Sequence, residues 1–308
     1  MIFADRLQKN IIKNRSFLVA GCDPVIDAMP EWLHQQVAHN SLGDKEYVSN
    51  ALELFVDCFL SAVDNSVAAI KPNSAFFEQY GLEGMRVFES LCRRAHEKGI
   101  QVIADAKRGD IGSTATAYSN AFLGGSSVRG KSVEAFYCDA LTVNPFLGFD
   151  TLLPFVTACQ EHGKGLFILV QTSNPGAKTI QGLVEEDLSV SERVAGWIRE
   201  QGDTLRGDCG WSGLGAVVGA LYPTEARRLR ELMPETFFLI PGLGAQGGNA
   251  ADSVAGFGTQ DGRCGGGLIN ASRGLLQGES SSPESYCALI ASNVKQFNGQ
   301  IEDALRLA

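Results

Sequence analysis

The sequence predicts an α/β fold, a closed (β/α)8 TIM barrel with inserts in its loops, and three observations carry that expectation. Short runs rich in β-branched and apolar residues recur, each followed by a longer stretch with three-and-four apolar spacing. Eight such runs start between positions 17 and 266, an average interval of about 36 residues, the size of one strand–helix unit. The first run leads into Gly21-Cys22-Asp23-Pro24, which is not the glycine-rich turn usual after the first strand of a doubly wound open sheet, the competing arrangement.

Taken in order, residues 2–14 form an amphipathic segment expected to pack on the barrel as a helix. The expected strands are Phe17–Cys22, Val67–Lys71, Gln101–Ala106, Cys138–Val143, Gly165–Gln171, Leu214–Gly219, Thr236–Ile240 and Gly266–Ala271. Helical periodicity marks Tyr47–Asn65, Leu82–Lys98, Gly148–Gln160, Glu186–Glu200, Thr224–Leu232 and Pro283–Phe297, as in the spacing of Leu52, Phe55, Val56 and Leu60. A barrel needs about 250 residues, so the surplus falls in inserts at 31–46, 124–132 and 201–212. No composition break is long enough for a linker, and residues 1–308 read as a single barrel domain.

The composition, 44% apolar and 20% charged, supplies a core and excludes disorder. Glycine stands out at 35 of 308 residues, about 11% against a typical ~7%, which points to tight turns or close backbone approaches to a ligand. A net charge of −9 argues against nucleic acid and anionic membranes as partners, because both need a positive footprint. It leaves room for an anionic small molecule held by local cations. The eight cysteines lie singly, with no C-x-x-C pair, and are expected as buried free thiols in a reducing compartment. The N-terminus lacks the pattern of a signal peptide and no stretch of ~18 apolar residues occurs, so a cytoplasmic location is expected.

In a barrel of this kind the active site is built at the C-terminal ends of the strands. Those ends present Asp23, Lys71, Asp105 and Lys107, Asn144, Thr172 and Ser173, Pro241 to Gly244, and Ser272 to Gly274. A lone charge such as Asp23 or Lys71 also reads as a solvated loop residue or a cap. The run Asp105-Ala-Lys-Arg-Gly-Asp110-Ile-Gly-Ser-Thr114 is denser. Strand alternation puts Asp105 and Lys107 on one face, an acid and a proton donor side by side, while Asp110 also reads as the cap of a helix beginning near Ile111. The glycine-rich stretch 241–248 offers backbone N–H groups to an anion, and Arg273 after strand eight adds a forked donor suited to phosphate. The four histidines, at 34, 39, 96 and 162, lie in polar inserts or helices, which speaks against Ser-His-Asp catalysis and a histidine-held metal.

The run from Asp105 to Thr114 resembles the D-x-K-x-x-D-I-x-x-T signature of the orotidine 5′-monophosphate decarboxylases, and the resemblance extends over most of the chain. Asp23, Ile70-Lys71-Pro-Asn73, Thr172-Ser173-Asn-Pro-Gly176, Pro241-Gly-Leu-Gly-Ala-Gln246-Gly and Arg273 all look like family positions. The length and inserts are similar to the longer bacterial subfamily, and Leu221-Tyr-Pro-Thr224 after strand six has no match to a ligand contact. The resemblance implies decarboxylation of orotidine 5′-monophosphate to uridine 5′-monophosphate, the last step of de novo pyrimidine synthesis, with no cofactor and no metal. Lys71, Asp105, Lys107 and Asp110 would be catalytic. Asp23 with Asn73 would hold the ribose, Ser173 the pyrimidine, Gln246 and Arg273 the phosphate, with Pro241 and Thr114 also at the substrate. A homodimer is implied, Asp110 and Thr114 reaching the partner's site. Other classes consistent with the residues are a related phosphosugar barrel, metal-assisted or using a Schiff-base lysine, and a catalytically silent nucleotide sensor.

Overall fold

A computed structural model describes residues 1–243, 250–260 and 262–307. Eight parallel strands form one sheet: β1 (Leu18–Cys22), β2 (Ala69–Pro72), β3 (Ile103–Arg108), β4 (Ala140–Val143), β5 (Gly165–Gln171), β6 (Ser212–Val218), β7 (Thr236–Pro241) and β8 (Gly267–Ala271). Their order is β2-β1-β8-β7-β6-β5-β4-β3. The two ends of that row meet through parallel bridges pairing Ile70 with Val102 and Asn73 with Asp105, which closes the barrel. Each expected strand is present, and all but the end of β3 are buried along most of their length, as befits parallel strands covered on both faces.

Strand residues largely alternate between the two sides of this wall. Val19, Ala69, Ile103, Ala140, Phe167, Val217, Phe237, Leu239 and Leu268 fill the barrel interior, together with Phe3, Leu7 and Ile11. Those last three lie on the N-terminal helix Phe3–Asn14, which matches the expected 2–14 and packs against the barrel interior. Phe3 meets Phe167 edge to face with centroids 6.0 Å apart, and Arg6 pairs with buried Asp139 at 3.0 Å. Gly165 makes room for this packing: a Cβ there would lie 2.2 Å from Phe3 Cδ1. The outward strand residues, among them Leu18, Ala20, Ile70, Leu141 and Ile168, join the inner faces of the surrounding helices in a larger core.

The inserts carry more regular structure than their polar composition suggests. Residues 31–46 contain the helix Glu31–His39 and the start of the helix Asp44–Val63, anchored by buried Leu33 and Val37. The segment at 124–132 is a hairpin that pairs Ser126–Val128 with Lys131–Val133, and 201–212 begins with a 3-10 turn at Gly202–Leu205. Residues 186–189, assigned to a helix from the sequence, instead complete a hairpin of Val184–Glu185 with Leu188–Ser189. The helix starts at Val190, where Ser189 and Glu192 form a capping box. All eight cysteines are free, but the expectation of burial holds for only five: Cys264 is exposed and Cys209 and Cys287 are half-buried. No described helix is long and apolar enough to cross a membrane.

Candidate active site

The inward-facing residues at the floor of the mouth are Lys71 on β2, Asp105 on β3, Thr142 on β4 and Asn270 on β8, with Leu169, Val217 and Leu239, at the top of the apolar interior, completing the ring. All of them line a cavity of about 1140 Å³ at the C-terminal ends of the strands. Its floor is therefore polar on one side and apolar on the other. Gly21, on β1 between Lys71 and Asn270, lets the strand ends approach: a Cβ there would come within 1.9 Å of Ser272 Oγ.

Asp105 is the hub. It is 8% exposed, and its Oδ2 accepts from Lys71 Nζ at 2.7 Å while its Oδ1 accepts from Lys107 Nζ at 2.5 Å and from Thr142 Oγ1 at 3.0 Å. Burial favours the neutral acid, but the two ammonium groups outweigh it and hold the carboxyl well below the usual carboxylate range. Burial likewise works against the charge on Lys71. The carboxylates of Asp105 and Asp23 prevail, and its pKa lies above the ordinary lysine value. Both partners of this buried pair are thus ionised at neutral pH. Lys107 differs from Lys71 in reach, its side chain being 47% exposed against 6%, so it stands into the cavity with its ammonium tethered from below.

Of the other residues singled out from the sequence, Asp23, Asn73, Ser173, Pro241 and Arg273 line the same cavity. Buried Oδ1 of Asp23 accepts no hydrogen bond from the described residues, which leaves it ready for a donor on a ligand. Arg273 opens the short helix Arg273–Leu276 at the rim and pairs with no described carboxylate. Asp110 and Thr114 are not among the cavity-lining residues. Asp110 does not cap the helix Gly112–Phe122, whose N-cap is Ile111 with no side-chain bond. Its Oδ1 accepts only from the neighbouring Ile111 N–H at 2.7 Å among the described residues. Gln246 lies outside the described residues.

Among the cavity residues that were not anticipated, four shape its polar floor and its loops. Thr142 and Asn270 sit mid-strand in runs that read as plain core, and Asn270 Oδ1 is a second buried acceptor with no partner among the described residues. Gln181 braces the loop after β5, accepting from Thr172 N–H and donating to Thr172 Oγ1, both at 2.8 Å. Leu221 gives the loop after β6 the cavity contact that could not be assigned from the sequence. The four histidines lie away from the cavity, in the helices Glu31–His39, Gly81–Glu97 and Leu153–His162.

Comparison with known proteins bears on this arrangement. The chain is 42% identical over 250 residues to an orotidine 5′-phosphate decarboxylase of Caldicellulosiruptor bescii, covering 81% of this chain and 82% of the relative. It is 38% identical over 276 residues to that of Rhodopirellula baltica, covering 90% and 88%. The solved structure of Leishmania donovani OMP decarboxylase superposes with a TM-score of 0.74 at 29% identity over the full length of both chains. Residues 52–285, from the helix before β2 to the start of the last helix, match the model of the orotidine 5′-phosphate decarboxylase / HUMPS family, and they contain the ion network on β2 and β3: the chain belongs to that family.

Proposed function

We propose that the chain converts orotidine 5′-monophosphate to uridine 5′-monophosphate and carbon dioxide, the last step of de novo pyrimidine synthesis. The observation that carries this reading is the Lys71–Asp105–Lys107 network standing in the mouth of a cavity large enough to admit a nucleotide. Breaking the bond between C6 of the pyrimidine and its carboxyl carbon leaves the electron pair on C6, in the ring plane and without an adjacent electron sink. The site must therefore stabilise charge that the ground state lacks. Lys107 is the cation at that position. It faces the developing carbanion and then gives C6 its proton. Asp105, ionised throughout, orients the ammonium from below, and Lys71 keeps Asp105 charged.

Binding energy comes from groups remote from C6. Asp23 with Asn73 receives the ribose hydroxyls, Ser173 and Pro241 flank the pyrimidine, and Arg273 with Gln246 takes the phosphate. Asp110 and Thr114 serve the site of a second copy. Their exclusion from their own cavity supports this, as does the exposed apolar surface nearby, where Ile111, Phe146 and Leu147 are 62%, 73% and 51% exposed. The protein, treated with chelator and given no cofactor, should consume orotidine 5′-monophosphate with the matching fall in ultraviolet absorbance. Unchanged substrate after long incubation with folded protein would refute the reading, and loss of activity to chelator would favour a metal-assisted relative.

A further inference from the structure

Thr142 occupies an irregular place in the barrel wall. Between β3 and β4 the register runs Leu141 with Ala104 and then Val143 with Arg108, so Thr142 alone stands opposite the three residues Asp105, Ala106 and Lys107. A bulge of this size breaks the ladder and leaves backbone groups without their usual partners. The amide of Lys107 is one of them, and it donates not to a β4 carbonyl but to Thr142 Oγ1, at 2.9 Å. The same hydroxyl sends its own proton to Asp105 Oδ1 at 3.0 Å. Lys107 meanwhile has φ +47°, a left-handed conformation that is strained for a residue with a Cβ and persists only where the surroundings enforce it. Thr142 is 1% exposed.

We propose that Thr142 is a positioning residue for the decarboxylation, its hydroxyl holding the strained backbone of Lys107 and the carboxylate of Asp105 in a single geometry. The inference rests on the reaction assigned above. A threonine suits the place because one oxygen must accept and donate at once.

The test compares Thr142→Val, which keeps the shape and removes the hydroxyl, with Thr142→Ser, which keeps the hydroxyl. Misplacement of a reacting group by a fraction of an ångström slows chemistry without weakening binding, so Thr142→Val should lose about 10- to 100-fold in kcat with KM within about threefold of wild type. Thr142→Ser should recover kcat to within about threefold. Hydrogen exchange supplies a readout independent of turnover: the Lys107 amide should exchange about tenfold faster in Thr142→Val and at the wild-type rate in Thr142→Ser. A valine variant within about twofold of wild-type kcat, or a serine variant as slow as the valine one, would overturn the proposal. Should Thr142→Val not fold, Thr142→Ala carries the same expectations. If wild type itself is inactive, the substrate assignment has failed and the amide exchange alone decides whether Thr142 holds the bulge.

Discussion

Lys71 and Asp105 join the barrel at its seam. β2 and β3 are the two ends of the strand order, held by two isolated bridges rather than a continuous ladder, and the 2.7 Å ion pair spans that gap with both side chains buried. The pair that organises the candidate catalytic lysine is thus also a closure contact. Removing Lys71 leaves Asp105 buried with one cation instead of two. Lys71→Met should abolish turnover and lower stability by about 3 kcal/mol, the low end of the cost of orphaning one partner of a buried pair, because Lys107 stays in place. Urea unfolding measures this; an unchanged midpoint would mean that the bridges alone hold the seam.

The two shifts in this pair set a pH window. Asp105 has a folded pKa below its unfolded value of about 3.9, so its contribution is complete above that value and is lost as pH falls below it. Lys71 has a folded pKa above its unfolded value of about 10.4, so its contribution is complete below that value and is lost as pH rises through the folded one. Between about pH 5 and 9 neither group changes protonation, and the network adds no slope to stability. Thermal midpoints of wild type and of a Lys71→Met, Asp105→Leu double variant should differ by a constant amount across that range and converge only at the extremes. A difference that shrinks near neutrality would show that one of the pair titrates there.

On the proposed mechanism, Lys107→Ala removes the proton donor and the cation that faces C6. The expected loss in kcat is at least about 10²–10⁴-fold, the general-acid contribution alone. Affinity for uridine 5′-monophosphate, which calorimetry measures, should stay within about tenfold, because the ribose and phosphate contacts proposed above involve other residues. Retention of near-full rate would remove Lys107 from the mechanism.

The parts of this molecule that follow from local chemistry were legible in the sequence, and those that depend on the barrel wall were not. The spacing of Asp105 and Lys107 brought both to one mouth with Asp23, Lys71 and Arg273, although Lys107 arrives there through a bulge rather than by regular strand alternation. The bulge opposite Thr142 is invisible to that logic. It depends on the pairing of two strands, and nothing in the run Ala140–Val143 distinguishes Thr142 from a β-branched core residue. Asn270 was hidden in the same way, a polar residue inside an otherwise apolar strand. The helix within 31–46 was missed because only Leu33 and Val37 mark its buried side. The hairpin at 184–189 was absorbed into the neighbouring helix because its residues carry no turn signal stronger than Asp187, which adopts φ +65°.

Stability at the opposite end of the barrel should be separable from chemistry. Gly165→Ala places a methyl group 2.2 Å from Phe3 Cδ1, and the ring cannot retreat without losing its contact with Phe167. Overpacking of this kind costs about 1–3 kcal/mol. The expected result is a lower thermal midpoint with kcat unchanged at 25 °C, since Gly165 starts β5 and the cavity lies at its other end. A fall in kcat without a fall in stability would contradict that separation.

The assignment of Asp110 to a second subunit has a quantitative consequence. Lys107→Ala and Asp110→Ala proteins should each be inactive on their own, since every site in either homodimer lacks one group. Mixed, dissociated and reassociated in equal amounts, half of the dimers are hybrids. In a hybrid, one site combines Lys107 from one chain with Asp110 from the other and is intact, while the second site carries both lesions. About a quarter of all sites are then restored, and the mixture should reach about a quarter of wild-type activity per site. If Asp110 instead serves the cavity of its own chain, every site in every dimer keeps its lesion and mixing restores nothing. The activity of the mixture therefore distinguishes the two placements, with wild-type protein carried through the same dissociation as the control for recovery.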